Sequence, residues 1–280
     1  MTGTPIENNS LELWSQFAFL NPGLLGNIAY FKETFAKSIE KEKDEYKTNA
    51  LKNIINPFLL MRKKEMVAKD LPEKQISISC CEMEPKQREI YDSWKAKIKN
   101  EIETAIKEEG FMKSRFKILR GLMKLRQICN HPMLIDESFT GESGKLNMLM
   151  DQIEEVIAGG HKVLVFSSFV KMLHVFRSEF ERKGIKFSYL DGSTRMSDRK
   201  HVVEQFQNDP DIKAFLISLK AGGLGLNLTE ADYVFIVDPW WNPAAEMQAI
   251  DRTHRIGQKK NVFVYKAITK DSIEEKILQL

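Results

Sequence analysis

Residues 232–268 read DYVFIVDPWWNPAAEMQAIDRTHRIGQKKNVFVYKAI, and this stretch decides the fold. The run 232–237 is short enough for a strand and too uniformly apolar to have a wet face, so burial on both faces is expected. Asn242 is a good helix N-cap, Pro243 suits a first turn, and Gly257 is placed to stop the helix. A second apolar run follows at 261–268. Strand, helix and strand in that order form a βαβ unit with parallel strands and a right-handed crossover.

The same alternation extends outward. Strands are expected at 162–167 (KVLVFS), 187–190 (FSYL) and 213–218 (KAFLIS), with helices near 145–158, 170–183, 195–207 and 243–256 and a last one from Asp271. The fold class is α/β: a parallel sheet with helices on both faces, spanning 143–280. The preceding region is mostly helical. Its one good strand candidate is 76–81 (ISISCC), before a charged helix from Pro85 toward Glu109, a break at Gly110 and a helix over 112–129. The loop 132–144 (PMLIDESFTGESG) has the composition of a domain boundary. Residues 1–27 read as the tail of a preceding domain: a turn at Thr2–Pro5, then a helix offering Leu11, Leu13, Trp14, Phe17 and Leu20 for burial. Residues 28–142 read as a helical protrusion.

Hydrophobic residues make up 42% of the 280 and charged residues 29%, the balance of a packed soluble fold. A net charge of +3 does not announce a nucleic-acid binder, so any such signal is local. Cys80, Cys81 and Cys129 lack CxxC spacing, which argues against a disulfide framework or a zinc site and for a reducing compartment. No metal-ligand set is expected. With no membrane-length apolar run and no signal-peptide pattern in residues 1–20, the chain reads as cytoplasmic (nucleoid) or nuclear.

A Walker A loop is not found. Gly144-Lys145 has Phe139 at the first glycine position and Leu146 at the Ser/Thr position, and it reads as a linker and helix start. The stretch 242–258 is more specific. On an ideal helix Gln248, Asp251, Arg252 and Arg255 share one face, and Met247, Ile250 and His254 share another. A solvated face with an Asp–Arg pair is the bland alternative. Against it, the helix starts at the carboxyl edge of a parallel sheet, where ligands bind, and its polar residues are of bidentate type. The Gly-rich segment 218–229 (SLKAGGLGLNLT) also follows a strand and suits either a tight turn or close approach to phosphate. Small hydroxyl and glycine residues at 167–169 and 191–194 end two further strands, a pattern suited to gripping a phosphate backbone. Residues 110–132 hold six basic side chains and no acid, which suits either a DNA-facing surface or pairing with the acids of the preceding helix.

These residues resemble a family. Gln248, Asp251, Arg252, Arg255 and Gln258 look like motif VI of Swi/Snf-type ATPases, in helicase superfamily two. Segments 218–228, 163–169 and 189–194 resemble motif V, motif IV and the block after it. Thr2–Pro5 with Glu7, Asn8 and Asn9 resembles motif III. The blocks 126–132 (RQICNHP), 143–146 (SGKL), 237–243 (VDPWWNP) and 57–60 with Arg62 are similar to blocks of this family rather than of helicases generally.

The resemblance implies two RecA-like lobes. This chain would be the second, with helical protrusions, and the apolar helix at 11–20 would pack on the first. The Walker A loop and Mg2+-binding motif would lie in that N-terminal lobe, so the chain alone should not hydrolyse ATP. Arg252 and Arg255 would be arginine fingers. Gly225, Asn227 and Gln248 would face ATP. Ser167, Ser168, Phe169, Gly192, Ser193, Ser218, Lys220, Ala221, Gly222 and Trp241 would lie along double-stranded DNA. The implied activity is a DNA-dependent ATPase that translocates on duplex DNA and remodels protein–DNA complexes, as a monomer. A motor-inactive DNA-binding or docking module is the alternative. Of the adjacent Trp240 and Trp241, one is expected in the core and the other on DNA.

Overall fold

The computed structural model describes residues 9–60, 68, 70–222 and 226–279. The chain divides into two compact units, 1–69 and 70–280. In the first, α1 (Ser10–Leu20), α2 (Ile28–Phe31), α3 (Lys37–Lys41) and α4 (Glu45–Ile55) are short helices, the middle two joined through a π turn at Lys32–Ala36. Asn9, Asn27 and Asp44 each accept a first-turn N–H and so cap α1, α2 and α4. Leu13 and Phe17 pack with Phe31, Phe35, Leu51 and Ile55. Helix α1 therefore packs with the helices that follow residue 27, and its Leu20 is exposed. Of the motif III resemblance only Asn9 lies within the described residues, and Arg62 lies outside them.

The second unit is built on six parallel strands: β1 (Lys74–Cys81), β2 (Val163–Ser167), β3 (Phe187–Leu190), β4 (Ala214–Ser218), β5 (Tyr233–Ile236) and β6 (Val262–Thr269), ordered β1-β6-β5-β2-β4-β3. Every residue of β2 and β4 is buried, as the apolar runs predict. Successive side chains alternate between two cores. Val163, Val165, Leu216 and Phe235 meet α7 (Gly144–Ala158) and α8 (Val170–Lys183). Leu164, Phe166, Phe215 and Ile236 meet Phe206 of α9 (Met196–Asn208) and Ile250 of α11 (Pro243–Ile250).

The expected boundary at 143 is not where the units part. Strand β1 pairs with β6 along its whole length. Helices α5 (Pro85–Glu109) and α6 (Phe111–Asn130), joined at Gly110 with φ +79°, are tied to this same unit. Gln87 Nε2 donates to the Ile128 carbonyl at 2.7 Å, and the Ile273 N–H donates to the Tyr91 hydroxyl at 2.9 Å. Gly144 shows why chain passage here is tight: a Cβ on it would stand 1.9 Å from the carbonyl oxygen of Glu82, at the end of β1.

Two thiols lie inside this unit. Burial first, and then the Glu274 carboxylate, push the Cys129 thiol up; burial pushes Cys81 up against the opposing pull of Lys145. Cys80 is exposed. Since the thiolate is the nucleophile, a neutral-pH alkylating reagent is expected to label Cys80 in the native protein, and Cys81 and Cys129 only after unfolding. Peptide mass mapping with and without urea checks this, and native labelling of Cys129 would contradict it.

Candidate functional site

Because all six strands are parallel, their carboxyl ends share one edge, and the segments after β2, β3, β4 and β5 meet there. Asp238, just past β5, is completely buried. Its carboxylate accepts Ser167 Oγ at 2.5 Å, the Ser168 N–H at 3.2 Å and the Ser168 hydroxyl. Arg126, equally buried on α6, reaches it with Nη2 at 3.2 Å and also donates to the Pro239 carbonyl at 2.5 Å. Three rings surround this guanidinium: Phe169 at 5.1 Å and both Trp240 and Trp241 at 5.4 Å. Trp240 and Trp241 therefore do not simply diverge. Trp240 packs against the core and its N–H is held by Glu246 at 2.7 Å, while Trp241 is 38% exposed.

After β3, Asp191 organises a turn by accepting the N–H and hydroxyl of Ser193 at 2.8 and 2.6 Å. Burial opposes its ionisation, but the Ser193 and Tyr189 hydrogen bonds outweigh this and hold the carboxyl below its ordinary value. Gly192 and Ser193 are thereby presented to solvent. After β4, Ser218 accepts the Ala221 N–H at 3.3 Å and starts the short helix α10 (Leu219–Gly222), where a loop was expected. Lys220 on it is exposed.

Four side chains expected to lie on DNA do not face outward. Ser167, Phe169, Ser218 and Ala221 are buried, the two serines engaged inside the protein and the other two packed in the cores. Ser168, Gly192, Ser193, Lys220 and Trp241 keep exposed surface.

The helix expected to run through Arg255 ends at Ile250, with Asp251 as its C-cap. Residues 251–257 continue as tight turns, with N–H groups of 252 and 253 bonded three residues back, up to Gly257 at φ +105°. Gln248 is therefore on the helix and both arginines are on the turn. This turn clasps the segment after the Gly-rich loop: the Leu228 N–H donates to the Arg252 carbonyl at 3.0 Å, and Arg255 Nη1 donates to the Leu226 carbonyl at 3.2 Å. Asn227, exposed, is held between these two bonds. Burial, then the adjacent Arg255 charge, push the Arg252 guanidinium below its ordinary pKa. Gly225 lies outside the described residues.

The sequence reading missed a second buried pair. Lys145 Nζ lies 2.6 and 2.7 Å from the Glu274 carboxylate and donates to Asn130 Oδ1 and the Val237 carbonyl, each at 3.0 Å. Glu274 belongs to α12 (Ile273–Leu278). Burial pushes its carboxyl up while Lys145 pulls it down. For the first pair the signal available in the sequence was position: Arg126 stands three residues before Cys129, on the stripe of α6 that is buried.

Residues 1–134 match the SNF2-related domain, and residues 144–257 match the helicase conserved C-terminal domain. The solved C-terminal part of the Fun30 ATPase domain is 30% identical, with a TM-score of 0.65 covering 75% of this chain and 89% of that one. The chain belongs to the Swi2/Snf2 family. The Swi2/Snf2 ATPase core of Sulfolobus solfataricus, solved in complex with dsDNA, is 38% identical with a TM-score of 0.65, over 100% of this chain and 59% of that one. An uncharacterized ATP-dependent helicase of Mycoplasma pneumoniae is 38% identical over 280 residues, 100% of this chain and 26% of that protein. This Swi2/Snf2 chain thus spans about a quarter of that relative's length. Its fold is the RecA-like α/β fold of such ATPase cores.

Within this Swi2/Snf2 unit the two kinds of charge are expected to behave differently on mutation. Lys145→Met strands the buried Glu274 carboxylate and should cost about 3–5 kcal/mol. Arg255→Ala removes a hydrogen bond at an exposed turn and should cost only about 1 kcal/mol by urea unfolding. Equal losses in the two variants would contradict this division.

Proposed function

We propose that this chain is the C-terminal motor lobe of an ATP-dependent translocase on double-stranded DNA. The observation that carries the reading is the clasp between 226–228 and 252–255, which gathers Asn227, Arg252 and Arg255 at one place. Burial, and after it the neighbouring Arg255 charge, disfavour the charged Arg252 guanidinium, and an anion beside the pair offsets both. Arg residues fit a phosphate bidentately, so the outer end of a nucleoside triphosphate suits this pair.

ATP with Mg2+ would supply the phosphoryl group to be transferred. Arg252 and Arg255 would stabilise charge developing on its oxygens, an effect worth roughly 10³-fold or more in rate. Gln248, Asn227 and Gly225 would line the same nucleotide. Among the described residues no group of three or more His, Cys, Asp or Glu is placed to hold a metal, so Mg2+ and the inner phosphates would be held by a companion N-terminal RecA-like lobe. This division implies that the chain alone is inactive.

The strand edge would carry the DNA. Ser168, Gly192, Ser193, Lys220, Gly222 and Trp241 would follow one phosphate backbone without reading bases, with Ser167, Phe169, Ser218 and Ala221 as their buried supports. The relative solved with dsDNA supports duplex DNA as the partner. The basic stretch 110–132 contributes less than its count suggests: Arg126 is buried, Lys117 pairs with Glu109 at 2.8 Å, and Lys124 lies 4.2 Å over the Trp94 ring.

The test is ATP turnover by the intact protein with no nucleic acid, duplex DNA, single-stranded DNA or RNA. Strong stimulation by duplex DNA is expected, and Arg252→Ala and Arg255→Ala should each abolish it while the protein stays folded by circular dichroism. Unchanged turnover in both variants would remove the arginine-finger role. No turnover under any condition would favour the motor-inactive docking module.

A further inference from the structure

The strand-edge grip contains one charged side chain that no solvent-facing role explains. Arg126 is completely buried, yet it comes from the helical hairpin α5–α6 rather than from the segments that end the strands. Its Nη2 joins two of those segments through three groups: Ser168 Oγ after β2 at 3.4 Å, and Asp238 and the Pro239 carbonyl after β5. The faces of the guanidinium are taken by Phe169, Trp240 and Trp241. A planar, delocalised cation does both jobs together, since its edge fits a carboxylate and its faces fit aromatic rings. The Trp240–Trp241 segment has a second anchor, the Trp240 N–H on Glu246, which is itself paired with Lys266. The half-exposed Trp241 ring lies 5.4 Å from the guanidinium.

We propose that Arg126 is a positioning residue for the DNA grip: it fixes the exposed Trp241 ring and the Ser168 hydroxyl relative to each other and ties both to the α5–α6 hairpin. This deepens the reading of the strand edge as the duplex-DNA site and rests on it. Two consequences follow from the geometry. A lysine at 126 keeps the charge but loses the fork and the flat faces, so the ring and the hydroxyl lose their common reference. A load or a bound partner that moves α6 is passed to Trp241 through one side chain.

The experiment measures duplex-DNA affinity of the intact protein for wild type, Arg126→Lys, Trp241→Ala and the double variant. Arg126→Lys is expected to weaken binding about tenfold, raising the DNA concentration for half-maximal ATP turnover while the rate at saturating DNA stays within twofold. Added to Trp241→Ala it should weaken binding little further, because both changes remove the same placed ring. Losses that multiply independently would overturn the proposal and leave Arg126 as a general stabiliser. Should Arg126→Lys not fold, the pair Arg126→Met with Asp238→Asn removes both buried charges together and enters the same cycle. If wild type does not bind duplex DNA, the DNA reading falls by itself. The positioning claim is then decided by acrylamide quenching of tryptophan fluorescence, where quenching in the Arg126 variant equal to wild type would overturn it.

Discussion

The second unit depends on a carboxylate with no access to water. Asp238 is taken out of solvent at the point where β5 ends and the aromatic segment begins. Burying two opposite charges costs several kcal/mol per ion, and mutual attraction offsets this only when the remaining hydrogen-bonding capacity is also filled. Here the carboxylate's capacity is filled by Ser167, by both polar groups of Ser168 and by Arg126, and the Pro239 carbonyl takes a further guanidinium hydrogen, while among the described residues the buried Arg126 Nε finds no acceptor. The carboxylate's partners come from two other segments, the end of β2 and helix α6. The ion pair therefore specifies how the ends of β2 and β5 and the helix α6 meet, which an apolar contact of the same size would leave adjustable.

One residue earlier in the chain, the Val237 carbonyl accepts a hydrogen bond from Lys145, at the start of α7. Lys145 carries this second buried charge to Glu274 on α12 and to Asn130 at the end of α6. Two buried pairs thus stand side by side, sharing the end of β5 and the last turns of α6. Their arrangement explains three separated sequence blocks physically. The Arg and Asn of 126–132, the Lys of 143–146 and the Asp of 237–243 are parts of one polar core, and Gly144 is required because the carbonyl of Glu82, just past β1, passes where a Cβ would stand.

The clasp between 226–228 and 252–255 is built by the opposite means. A backbone hydrogen bond and a side-chain-to-backbone one hold it. Ending α11 at Ile250 and continuing as turns lets the carbonyl of Arg252 meet the N–H of Leu228 and lets the Arg255 side chain reach Leu226. A continuous helix through 257 would have spent that Arg252 carbonyl on its own fourth neighbour. The turn releases it for a long-range bond and leaves both guanidinium groups at the surface of the clasp.

The sequence by itself determined the α/β class, the strands of 162–268 and the two helices at 170–183 and 195–207 to within a residue or two, the N-cap Asn242, and the resemblance that led to the Swi2/Snf2 family. These are local or periodic properties: a run of five or six apolar residues, an Asn before Pro, a motif in order. Only the tertiary structure decided that β1 belongs to the same sheet, that the units part near 70 rather than 143, that Ser167 and Ser218 face inward, and that Arg126 is a buried hub rather than one of six surface cations. The early end of the helix at 250 was likewise not legible, since helical periodicity continues through Arg255 in the sequence. In each case the deciding energy is a hydrogen bond or ion pair between residues far apart in the chain, and the 112-residue separation of Arg126 from Asp238 leaves no periodic trace for a local pattern to detect.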